Sequence, residues 1–129
     1  MIKYDSPDVF QWGYELDRVV EEKIVGIKLF LDPDQDRPFY DPSSNTSTKA
    51  EMKKLSKAPI DIVSDYFKAI YEHALSKIAS KVAKSYLDML DKQFVLSVPA
   101  VWSDKAKDHT LKVRAHCRYP DPRSYILKA

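Results

Sequence analysis

Glycine is nearly absent from this chain of 129 residues. Only Gly13 and Gly26 occur, and neither belongs to a glycine-rich loop. Backbone cradles for phosphate need several glycines, because side chains block the close approach of the amides, so no such cradle is present. Cysteine is also scarce: Cys117 stands alone, which excludes an internal disulfide and a cysteine-based zinc site. No apolar run approaches the roughly 18 residues of a membrane span, and the first residues lack a basic-then-apolar leader. The expectation is a cytoplasmic protein with no membrane partner. An excess of one charge is missing as well. Lys and Arg number 21 against 19 Asp and Glu, a net charge of +2, which gives no clustered basic face for nucleic acid.

What the chain does contain is ordinary for one soluble domain, 44% hydrophobic and 31% charged, enough for a modest core. Its most specific stretch runs from Phe94 to Asp104. Phe94, Val95, Leu96 and Val98 read as a short strand covered on both faces. Pro99, which has no amide hydrogen, takes the chain out of the sheet. Ser103 is placed to cap a helix opening at Asp104, whose carboxylate suits the positive helix end.

Taken in order, Ile2-Lys3-Tyr4 and Val9-Phe10-Gln11-Trp12 flank the turn-forming Asp5-Ser6-Pro7-Asp8 and predict a β-hairpin. Apolar residues from Leu16 to Leu31 recur near helical spacing and predict an amphipathic helix, weakened at Gly26 and stopped by Asp32-Pro33. From there to about Ser56, Pro33, Pro38, Pro42 and polar residues around Asn45 predict a long loop. Pro59 suits the first turn of a helix. Ile60, Val63, Phe67, Ile70, Ala74, Ile78, Val82 and Leu90 extend it to about thirty residues. Asp91-Lys92-Gln93 links it to the strand, and a helix from Asp104 to about His116 follows. Cys117 to Pro122 breaks the pattern, and Ser124 to Ala129 forms either one more strand or a frayed end.

Candidate chemistry is thin. His73 lies within the long helix and reads as a boundary or core residue, while His109 and His116, seven apart, share a face but as two histidines alone make a poor metal site. Asp17, Glu21 and Glu22 suit a solvated helix face better than an acid and base pair. Cys117 follows a basic stretch that could lower a thiol pKa, but no motif ties it to nucleophilic work. Trp12 and Trp102 read as packing residues. Lys68, Lys77, Lys81, Lys84 and Lys92 read as solubilising charge, with a protein-partner surface on the long helix as the alternative. Asn45-Thr46-Ser47 matches a glycosylation sequon, which has no use without a secretory signal.

Val98-Pro99-Ala100-Val101-Trp102-Ser103-Asp104, preceded by the long helix from Pro59 and by Trp12-Gly13-Tyr14-Glu15, resembles the nucleotide-binding domain of fungal heat-shock protein 70-like proteins, in the actin-like ATPase superfamily. The similarity covers about residues 2 to 114 and includes the order of elements. It implies an α/β fold, a partial actin-like (ribonuclease H-like) lobe with an N-terminal hairpin, a long central helix, one buried strand and a following helix. Residues 1–115 would then be a segment of lobe I, and 116–129 a divergent tail of the kind a truncated gene copy carries. The parent family is chaperone-like and uses ATP and magnesium. Its phosphate loops would fall before Ile2 and after Ala115, outside the matching region. The resemblance implies interdomain relay positions at Pro99 and at Lys107, where lysine replaces the family's arginine and loses bidentate geometry. The family's catalytic lysine falls at Asp17, a reversal of charge. The implied function is a fragment of an ATPase domain that neither binds nor hydrolyses ATP alone and holds no cofactor. The alternative is a non-enzymatic interaction module acting through the long helix or the hairpin.

Overall fold

The computed structural model describes residues 1–16, 22–32, 46–90, 94–116 and 125–128. Together they form a small α/β domain. Strands β1 (Ile2–Ser6) and β2 (Val9–Trp12) pair antiparallel as the predicted hairpin, Ile2 opposite Trp12 and Tyr4 opposite Phe10, with an irregularity between Tyr4 and Ser6. Helices α1 (Thr46–Leu55), α2 (Pro59–Ala79) and α3 (Lys84–Met89) follow. Strand β3 (Phe94–Ser97), helix α4 (Asp104–His116) and strand β4 (Tyr125–Lys128) complete the chain. β3 and β4 lie parallel, Phe94 opposite Tyr125 and Ser97 opposite Lys128. A parallel pair needs a long crossover, and α4 lies within it.

Two apolar clusters meet at the start of α2. Pro59 occupies the first turn, where its missing amide hydrogen costs nothing, and the Asp61 carboxylate accepts from the Ala58 amide at 3.2 Å. Successive residues on a helix project about 100° apart, so the neighbours Ile62 and Val63 enter different clusters. Ile62 packs with Ile2 and Ile24, under Tyr4, Phe10, Met52 and Leu55. Val63 packs with Leu31, Val98, Trp102, Ala106 and Val113. Ile27 touches both clusters. Ser64 ties α2 to α4, its hydroxyl reaching the Ile60 carbonyl at 2.7 Å and the Val113 carbonyl at 3.4 Å.

Several expectations change. Among the described residues of the span, the helix predicted from Leu16 to Leu31 is not seen. A 3₁₀ turn covers Gly13–Glu15, Leu16 is extended, and Ile24 exchanges backbone hydrogen bonds with Ile2 at 3.1 and 2.7 Å. Gly26, at φ +68°, then opens a second 3₁₀ turn over Ile27–Leu31. The left-handed conformation at Gly26 cannot continue a helix. The thirty-residue helix is also shorter. α2 ends at Ala79, residues 80–83 turn, and α3 is a separate element. Part of the long loop is helical, since α1 occupies 46–55. The strand at Phe94 is not covered on both faces, because Val95 is 54% exposed and the parallel sheet holds only two described strands. Of the two outcomes left open for the last residues, a strand is observed.

Candidate functional site

Asp32 is the most buried carboxylate of the described chain, 2% exposed. It sits just past the second 3₁₀ turn and faces the start of α4. Oδ1 accepts from the Ser103 hydroxyl at 3.0 Å, and Oδ2 from the Ser103 amide at 3.3 Å. The same Ser103 oxygen accepts from the Ala106 amide at 3.2 Å, which is the predicted helix cap. One turn further on, His109 Nδ1 stands 3.1 Å from the Leu31 carbonyl oxygen; a carbonyl only accepts, so the ring nitrogen donates. Residues 31 and 32 therefore clamp α4 at two points. Trp102 is buried in the second cluster with Leu31, and the Lys28 ammonium lies 5.5 Å from its ring centroid.

Beside this clamp, a cavity of about 510 Å³ opens between α2, the second 3₁₀ turn and β3. Its wall is apolar. Val63, Phe67, Ile70 and Ala74 bring the stripe of α2 to it, and Leu31 and Val95 to Ser97 line it as well. Helical spacing explains why these α2 residues share a face. Partway along α2 the cover runs out, with Ile70 at 38% and Ile78 at 44% exposure.

On the far side of α2, the hairpin contributes a polar cluster. The Tyr4 hydroxyl donates to Asp65 Oδ2 at 2.6 Å, and Lys57 Nζ donates to the same oxygen at 2.6 Å while lying 4.7 Å from the Tyr4 ring centroid. Burial, together with the hydrogen bond to Asp65 and the charges of Asp65 and Asp61, holds the Tyr4 phenol protonated well above its usual range. A smaller cavity of about 320 Å³ adjoins Asp65 and is bordered by Asp8, Lys68 and Glu72.

The residues singled out in the sequence are scattered. Pro99 lies in the turn between β3 and α4, and its carbonyl accepts from the Trp102 amide at 3.1 Å. Lys107 is on the first turns of α4, with its ammonium 3.2 Å from Asp104. His73 meets Trp12 edge to face at 5.6 Å between ring centroids, whereas His109 contacts Leu31. His116 closes α4, and its side chain lies outside the described part. Asp17, Glu21, Asn45, Lys92 and Cys117 fall outside the described residues, as do the linker 91–93 and most of the proline-rich stretch. Among the described residues, no group of three or more His, Cys, Asp or Glu side chains stands close enough to hold a metal ion. No described helix is long and apolar enough to cross a membrane. Sequence reasoning read Asp32 only as a helix stop. Its role as the anchor of Ser103 is set by contact across the fold, and the one local signal is an acidic residue directly after an apolar run.

No protein-family model, curated protein or solved structure matches the chain.

Proposed function

We propose that these residues are a partial first lobe of a heat-shock protein 70-like nucleotide-binding domain, which does not bind or turn over ATP by itself and presents a face for further polypeptide. The observation that carries this reading is the open apolar groove between α2 and β3. A parallel sheet is ordinarily covered on both faces and flanked by further strands, whereas β3 has one neighbour among the described strands and an exposed Val95. Part of the order of elements supports the family reading: hairpin, long helix, strand, proline turn and serine-capped helix. Ile27–Leu31, however, is a 3₁₀ turn where the resemblance implies a helix, and β4 lies in the tail outside the matching region. Both glycines serve left-handed turns, Gly13 at φ +73° and Gly26 at φ +68°, and neither lies in a phosphate loop. Phosphoryl transfer depends on positioning and charge stabilisation by such loops and their metal ion, so no turnover follows from these residues.

Calorimetric titration with ATP and magnesium, beside a circular-dichroism melt, tests the reading. The expected result is a cooperative melt and no binding tighter than about 100 μM, roughly 5.5 kcal/mol. Tighter binding overturns it.

A further inference from the structure

The groove touches three consecutive residues of β3: Val95, Leu96 and Ser97. Side chains alternate between the two faces of a strand, so a cavity that reaches all three is not confined to one face of β3. β4 takes one edge of β3, and among the described residues no strand lies along the other. The amide and carbonyl groups of such an edge are a template for an added strand. Charge narrows the choice of occupant. Lys28 is the one charged side chain among the described lining residues, and no carboxylate stands with it.

Resting on the partial-lobe reading above, we infer that the groove binds an extended apolar segment of a different polypeptide, which adds to β3 as a third strand and brings a carboxylate to Lys28. The backbone edge supplies hydrogen bonds, Ile70 and Phe67 receive apolar side chains, and Lys28 sets the charge preference. A second copy of this chain fits less well. The sequence of β3 itself, Phe-Val-Leu-Ser, holds no carboxylate, so pairing two copies edge to edge leaves Lys28 unmatched in both.

The test is fluorescence anisotropy of the full chain with three labelled synthetic peptides. One has the sequence Glu-Val-Ile-Val-Thr-Val, the second begins with Lys in place of Glu, and the third is the first with alternate backbone nitrogens methylated. The Glu-headed peptide is expected to bind, the Lys-headed one about fivefold more weakly, as suits a partly exposed ion pair, and the methylated one not at all. Lys28→Glu is expected to reverse the charge preference, and Ile70→Lys to abolish binding of both unmethylated peptides with the melt unchanged. Four results overturn the inference: equal binding of the methylated peptide, no reversal by Lys28→Glu, no binding by a cooperatively melting chain, or no cooperative melt with or without peptide. A concentration-dependent doubling of mass that excludes peptide also overturns it, in favour of a second copy. Failure of the partial-lobe reading is seen separately, as binding of ATP with magnesium.

Discussion

The carboxylate of Asp32 and the hydroxyl of Ser103, 71 positions apart in sequence, meet at 3.0 Å, and through that contact the end of one 3₁₀ turn fixes the start of α4. The Ser103 oxygen donates to Asp32 and accepts from Ala106, so each bond polarises the other in the same sense. A cap held in this way differs from a solvated one. Removing the Ser103 hydroxyl takes the cap from α4 and also strips a buried carboxylate of one of the two donors described for it.

Ser103→Ala is therefore expected to cost about 2 to 3 kcal/mol, more than the roughly 1 kcal/mol of an ordinary cap. The alanine keeps its amide, so the loss falls on one of the two bonds to Asp32 and on the cap. Ser103→Thr preserves the hydroxyl and should retain most of the stability. Urea denaturation followed by circular dichroism measures both, and a loss below about 0.5 kcal/mol for the alanine variant would show that the Asp32 contact carries no weight.

Tyr4 makes a prediction about alkaline pH. Its phenol keeps its proton in the folded chain above the range where an unfolded tyrosine ionises, near pH 10. The folded pKa is raised, so the contribution is fully present below about pH 10 and is lost as pH rises above it. For one proton the decline is at most about 1.4 kcal/mol per pH unit. Tyr4→Phe removes this component. The stability difference between wild type and variant should shrink from about pH 10 upward, and a difference that stays constant to pH 11, measured by urea denaturation, counts against it.

Local rules made the hairpin, the Pro59 helix start and the Ser103 cap legible, because each is written within four or five residues. Contacts across the chain wrote the rest. Ile24 sits at helical spacing from Val20 and Ile27, yet its backbone pairs with Ile2, and no periodicity can reveal that choice. α1 escaped notice because its residues are mostly polar. Besides Met52 and Leu55, it docks through Thr48, buried, with its hydroxyl 3.3 Å from the Val25 amide, and a buried threonine looks the same in sequence as an exposed one. The end of α2 carries no glycine or proline. Within the site, Lys28 and Val95 gave no signal by themselves, since the groove exists only where three separate segments meet.

Burial changes along α2, and substitutions should follow it. Val63 is buried against Trp102 and Val113, whereas Ile78, fifteen positions on by its numbering, is 44% exposed. Val63→Ala is expected to cost about 2 kcal/mol through lost burial and a residual cavity. Ile78→Ala should change stability by less than about 0.5 kcal/mol, as exposed positions do. Equal costs in thermal or chemical denaturation would mean that the far half of α2 is covered as fully as its start.

Gly26 distinguishes the observed fold from the amphipathic helix that spacing alone suggests. Within a helix, Gly26→Ala would stabilise by up to about 1 kcal/mol, because alanine is the better helix former. At φ +68° the alanine side chain instead meets its own backbone in the left-handed region, a cost of about 1 to 2 kcal/mol. The two readings thus differ in the sign of one measurement. Gly26→Asn should lie between glycine and alanine, since asparagine tolerates this region. A melting temperature that falls for alanine and recovers in part for asparagine places the turn where the backbone has it, and one that rises for alanine restores the helix.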